Sequence, residues 1–124
     1  MIVGLGMDVA ELDRIGKAYA SHGERFLDKL LTPLERAGVP KFPAPYLAAR
    51  FAAKEAAVKA LGTGFRDGIT YKDVEVFSDS LGKPLVRFTG KADERARALG
   101  VTHAHISLTH GRDVAAAVVV LEAP

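Results

Sequence analysis

The chain has 124 residues, 48% of them hydrophobic and 26% charged, a size and balance that suit one globular domain and exclude a disordered chain. It contains no cysteine, which removes disulfides, thiolate metal sites and a cysteine nucleophile. The net charge is only +2, yet from Arg36 to Lys72 seven basic residues stand against Glu55 and Asp67, a bias that suits an anionic partner or a solvated basic face.

The opening MIVGLGMDVAELDR has no positive n-region and no long apolar run, so no signal peptide is expected. Val3, Leu5, Met7 and Val9 alternate with Gly4, Gly6 and Asp8, which predicts a strand over Ile2 to Val9. Asp13 to Leu31 reads as helical with a break near His22-Gly23. Thr32-Pro33-Leu34-Glu35 is a capping box that starts a short helix ending at Gly38. Val39 to Pro45, with three prolines, is a loop.

A long Ala-rich helix is expected from about Pro45 to Leu61, with Leu47, Phe51, Val58 and Leu61 in one core-facing arc. After Gly62-Thr63-Gly64, strands over Val74 to Phe77 and Leu85 to Thr89 form a hairpin. Lys91 to Leu99 is a helix. His103 to Thr109 and Val114 to Leu121 are strands joined by a tight turn. The last of these is the longest apolar run and is too short to cross a bilayer, so a soluble, cytoplasmic protein is expected. The fold class is α+β: mostly antiparallel strands against one long helix and several short helices, with residues 1–124 as a single domain.

Several positions carry candidate chemistry. Asp8 lies on the glycine side of its strand, where the backbone can be approached closely, and Glu11 and Asp13 follow it. Carboxylates in that place suit Mg²⁺, which prefers oxygen ligands; capping of the next helix is the plainer alternative. Glu55 and Lys59 are spaced as an ordinary helix-stabilising pair. Lys54 falls close to the apolar arc, where a solvated lysine does not belong, and Arg50 one turn earlier adds a basic edge. Gly62 to Gly64 can offer backbone N–H groups to an anion or simply cap the helix. His103, His105, Ser107 and Thr109 share one strand face, which reads as a solvated side more readily than as a zinc site or the serine of a triad.

Taken in order, G-x-G-x-D-x-x-E-x-x-R at Gly4 to Arg14, R-F-A-A-K-E-A…K-A-x-G-T-G at Arg50 to Gly64, G-K-P at Gly82 to Pro84 and H-I-S-L-T-H at His105 to His110 resemble the holo-acyl-carrier-protein synthase family over essentially the whole chain. These are phosphopantetheinyl transferases of bacterial fatty-acid synthesis. The resemblance implies transfer of 4′-phosphopantetheine from coenzyme A to a serine of an apo acyl carrier protein, with release of adenosine 3′,5′-bisphosphate. It implies Mg²⁺ on Asp8 and Glu55, with Glu55 and Lys59 catalytic and Lys59 on the pyrophosphate. Arg50 would meet the 3′-phosphate of coenzyme A. Gly62, Thr63, Gly64, Lys83, Pro84, His105, Ser107 and Thr109 would line its pocket, and Arg14 would dock the acidic carrier. Lys54 reads as structural or as support for the site.

The serine proton goes either to Glu55 or to a metal-bound water, and both stay open. The Gly38 to Tyr46 loop is shorter and richer in proline than the family pattern, leaving Lys41 to do part of its basic work. The family implies a homotrimer with sites between subunits. The competing readings are another Mg²⁺-dependent nucleotide hydrolase and a non-catalytic nucleotide-binding module. Too few aromatics are interleaved with the basic residues for single-stranded nucleic acid, and no membrane partner is expected.

Overall fold

A computed structural model describes residues 1–124. The elements run β1 (Ile2–Glu11), α1 (Leu12–His22), α2 (Glu24–Leu30), α3 (Pro33–Ala37), α4 (Ala44–Leu61), β2 (Val74–Ser78), β3 (Pro84–Phe88), α5 (Gly90–Ala98), β4 (His103–His110) and β5 (Val114–Glu122). A 3₁₀ turn at Tyr71–Asp73 leads into β2. All strand pairing is antiparallel. The strands divide into a three-stranded sheet of order β1-β5-β4 and the expected β2-β3 hairpin, which forms a separate two-stranded sheet.

Glycine decides how α4 meets the larger sheet. A Cβ on Gly6 would stand 1.9 Å from the Ala56 carbonyl oxygen, and one on Gly4 would stand 2.2 Å from that of Ala60. No side chain fits there. Helix backbone therefore rests directly on strand backbone, with alanines on one side and glycines on the other. The close approach that the β1 glycines allow is thus taken up by α4.

This contact reverses the usual sense of the β1 alternation. The inner face carries Gly4, Gly6, Asp8 and Ala10, while Leu5, Met7 and Val9 face outward at 66, 65 and 55% exposure. Pairing continues both faces across the sheet: Met7 and Ser107 flank Val118, and Leu5 and His105 flank Val120, on the outside. Ala115, Ala117, Val119 and Leu121 of β5 are buried on the inside.

The expected single arc of α4 is corrected in the same way. Leu47, Val58 and Leu61 are buried, but so are Ala48, Ala49, Ala52, Ala53, Ala56, Ala57 and Ala60, and Phe51 is only half-buried. The helix is enclosed on most sides, so its burial cannot show one stripe. Lys54 is fully buried with it. The basic edge expected of Arg50 and Lys54 does not form, because Lys54 points into the protein.

Candidate active site

Asp8 shares the inner parity of Gly4 and Gly6 and so faces α4. Lys59 Nζ reaches it, donating to Asp8 Oδ1 at 2.9 Å and to the Met7 carbonyl at 3.2 Å. The Glu55–Lys59 helix pair suggested by spacing is not made. Glu55 Oε1 instead accepts the Tyr71 hydroxyl at 2.9 Å. That hydroxyl is held strongly in its neutral, donating form, by burial first, then by its bond to Glu55, then by the charges of Glu55 and Asp8. Asp8, Glu55, Lys59 and Tyr71 therefore share one locality at the junction of β1 and α4.

The plainer reading of the acidic cluster after β1, that it caps α1, does not hold. The residue before α1 is Glu11, which makes no side-chain cap, and Asp8 is engaged with Lys59. Asp13 pairs with Lys17 at 2.9 Å rather than joining Asp8. No three His, Asp or Glu side chains converge on a point. Two carboxylates beside a lysine nonetheless fit Mg²⁺, which commonly binds one or two carboxylates and completes its shell with substrate phosphates and water.

Lys54, the neighbour of Glu55, sits in a buried polar network. Its ammonium donates to Glu35 Oε1 at 2.7 Å, to the Leu30 carbonyl at 2.6 Å and to the Tyr71 carbonyl at 2.9 Å. Burial pulls its pKa down, and the Glu35 carboxylate opposes that shift. Glu35 also closes the capping box with Thr32 and accepts Val76 N–H at 2.8 Å. Thr32 Oγ1 in turn donates to Glu75, which also takes Arg87.

Arg50 belongs to a different place. Nine residues of helix put it roughly 180° round α4 from Lys59. Its guanidinium stacks on the Tyr46 ring at 4.0 Å, and its buried Nε has no partner. It lines a pocket of about 290 Å³ with Tyr46, Thr109 and His110. Thr109 continues the outer face that carries His105 and Ser107. His105 Nε2 lies 3.0 Å from Glu122 Oε1, a bond that holds the Glu122 carboxyl below its ordinary range. Lys83 and Pro84 stand at the β2-β3 turn, with Lys83 exposed and its amide on Asp79.

Of the two readings of Gly62 to Gly64, an anion nest or a helix cap, the cap is the one the backbone amides make. The Gly62 amide bonds to the Lys59 carbonyl, and the Thr63 and Gly64 amides bond to that of Val58, closing the helix end with Gly62 left-handed. Arg95 Nε adds a bond to the Leu61 carbonyl at 3.0 Å.

Sequence reading missed Tyr71 and the groove beside it, a space of about 330 Å³ lined by Arg25, Phe26, Lys29, Leu30, Phe51 and Tyr71 among others. Arg14 lies exposed on α1 nearby in sequence. The basic residues of this helical layer with acidic partners are Lys17 and Arg36, which leaves Arg14, Arg25 and Lys29 outside the ion pairs. Only the basic i,i+4 spacing of Arg25 and Lys29 hints at the groove.

A family model described as the 4′-phosphopantetheinyl transferase superfamily matches residues 4–119. The chain belongs to that superfamily. Among curated relatives, the holo-[acyl-carrier-protein] synthase of Maridesulfovibrio salexigens is 59% identical over 123 residues, covering 98% of this chain and 99% of the relative. Among solved structures, the holo-[acyl-carrier-protein] synthase of Neisseria meningitidis superposes with a TM-score of 0.90 at 36% identity, covering 98% of this chain and 99% of that one. The Bacillus anthracis holo-(acyl-carrier-protein) synthase in complex with CoA (3′,5′-ADP) gives a TM-score of 0.82 at 35% identity, covering 100 and 99% of the two chains. The α+β architecture of this transferase is thus that of the holo-acyl-carrier-protein synthases. No helix is long and apolar enough to cross a membrane.

Proposed function

We propose that this transferase is a holo-acyl-carrier-protein synthase, moving 4′-phosphopantetheine from coenzyme A to a serine hydroxyl of an apo acyl carrier protein. The observation that carries the reading is the meeting of Lys59 with Asp8, in the same locality as Glu55, whose partner Tyr71 also lines the groove walled by Arg25 and Lys29. The serine oxygen bonds to the phosphorus bearing the pantetheine arm, the pyrophosphate P–O bond breaks, and adenosine 3′,5′-bisphosphate leaves. Lys59 balances charge on the departing group. The serine proton passes to Glu55 or to a water beside it.

Asp8 and Glu55 are the residues to hold Mg²⁺, which when bound would neutralise the pyrophosphate and orient it for attack. Arg50, with an unpartnered Nε and Thr109 beside it, suits the 3′-phosphate, and Lys41 is the one basic residue on the proline-rich loop that leads to α4. His105, Ser107, Lys83, Pro84 and the side of the Gly62-Thr63-Gly64 turn line the remaining nucleotide path. Because the turn's amides are spent on α4, Thr63 and the carbonyls act there rather than an amide nest. Arg14, Arg25 and Lys29 form the docking side for an acidic carrier.

Arg50 and Lys59 lie on opposite sides of α4, so a single chain does not gather both around one nucleotide. The outer sheet face offers the remedy, since Leu5, Met7 and Val9 adjoin Val118 and Val120 as an uncovered apolar surface next to His105 and Ser107. A homotrimer built on that face, with each site completed by a neighbour, fits both facts. Residues 1–124 act as one domain, supported by a single cluster of 24 buried residues, in the cytoplasm where the carrier and coenzyme A meet.

The test is intact-protein mass spectrometry of an apo carrier incubated with the chain, coenzyme A and Mg²⁺. A gain of one phosphopantetheine, lost with EDTA or with Glu55→Gln, supports the assignment. Coenzyme A cleaved without any modified carrier would make the protein a hydrolase instead.

A further inference from the structure

Lys54 and Tyr71 have no task in the reaction as described, yet they are joined to Glu55 by an unbroken chain of bonds. The Lys54 ammonium, fully buried, fixes the Tyr71 carbonyl at 2.9 Å. The hydroxyl of the same tyrosine donates to Glu55 Oε1 at 2.9 Å. Two consecutive residues of α4 thus grip one residue at both ends. The ring between those ends is packed against Phe65 at 4.0 Å and Phe51 at 5.9 Å between centroids. A phenylalanine would fill this space equally well. Only the carboxylate requires the hydroxyl.

Without that bond, Glu55 is a half-exposed helical side chain free to rotate about three torsions. Catalytic geometry is sensitive to such freedom: a misplacement of about 1 Å costs roughly 10²-fold in rate. We propose that Tyr71 is the positioning residue of Glu55, occupying Oε1 so that Oε2 is the oxygen presented to a divalent cation and substrate. Lys54 holds Tyr71 in register. The inference rests on the assignment of Glu55 made above.

Three full-length proteins decide it: wild type, Tyr71→Phe and Glu55→Gln. Mn²⁺ binding in the presence of coenzyme A is read by electron paramagnetic resonance of the free ion, alongside kcat, the KM for carrier and a thermal melt. Loss of a group that orients a metal ligand typically costs about 10-fold or more in affinity or activity. Tyr71→Phe should therefore weaken Mn²⁺ binding and lower kcat by about 10-fold, while the retained ring keeps the carrier KM within about twofold. Its melt should stay near that of wild type. If Mn²⁺ affinity and kcat both stay within twofold, or if only the carrier KM moves, the hydroxyl does not position Glu55 and the proposal falls. Glu55→Gln separates the two levels. Should it leave Mn²⁺ binding unchanged, the metal role of Glu55 fails and takes the inference with it. Should it weaken binding while Tyr71→Phe does not, the positioning role alone is overturned.

Discussion

Lys59 and Asp8, 51 residues apart, are in direct contact, with Nζ 2.9 Å from Oδ1. The lysine is half-exposed and the aspartate mostly covered, so the cation reaches down from solvent to an acid set on the strand. Placed this way, Lys59 can exchange its partner for a phosphate without disturbing the core. Lys59→Met should fold normally and lose about 10²-fold in kcat, as for the loss of one charge-stabilising group at a reacting centre. Steady-state transfer with saturating carrier checks this, and an unchanged kcat would remove Lys59 from the reaction.

Gly6 should tolerate nothing larger. Gly6→Ala drives a methyl into the Ala56 carbonyl, and helix and strand backbones must separate; such overpacking costs about 3 kcal/mol or more. Gly111→Ala, with open space around its Cβ position, is the control and should lie within about 0.5 kcal/mol of wild type. Urea denaturation of the two variants gives the comparison.

The Glu35–Lys54 pair is fully buried, and removing one partner strands the other. Lys54→Met should cost about 3–5 kcal/mol, while Lys54→Met with Glu35→Gln should recover part of the loss because no unpaired charge remains. A double-mutant cycle of unfolding free energies measures the coupling.

Acid should act through Glu75. Burial alone would raise its pKa, but the hydrogen bonds from Thr32 and Arg87, with the charges of Arg87 and Lys54, lower it below its ordinary 4.5. The native state therefore holds this carboxylate ionised more readily than the unfolded chain does. Its contribution to stability is complete above the unfolded value and is lost as pH falls through the folded one. Across that acid window the Tm of wild type should drop more steeply than that of Glu75→Gln, and parallel profiles would contradict the assignment.

Assembly should depend on the outer sheet face. Met7→Glu places a charge amid Leu5, Val9 and Val118 at a position 65% exposed in the single chain, so the fold should survive. Light scattering should show trimer giving way to monomer, with transfer lost alongside it. A variant that stays trimeric would move the interface elsewhere.

The elements were largely legible because their signals are local. Thr32, Pro33 and Glu35 announce α3 by themselves, and Gly62 marks the end of α4. Partners across the fold were not legible. Glu35 reads as a cap, but its bonds to Lys54 and Val76 depend on residues 19 and 41 positions away. Likewise, the Glu55–Lys59 spacing points to a helix pair, whereas tertiary packing supplies Asp8 and Tyr71 as better partners. The inward turn of the β1 glycines defeats the rule that apolar residues face the core, because alanines bring α4 too close for any side chain. Lys54 was the informative exception: a charge on the apolar side of a helix signals a buried partner even when that partner cannot be named.

The seating of Ala56 on Gly6 also sets a gauge. Glu55 adjoins one of these residues and Asp8 follows two places after the other, so main-chain contact sets the spacing of the backbone from which the two acids project, and Tyr71 sets where the Glu55 carboxylate then lies. Loosely packed side chains would let that gap breathe with temperature or with each substitution nearby. Here it behaves as a machined tolerance, and redesign of the outer surface leaves the backbone spacing of the two acids untouched.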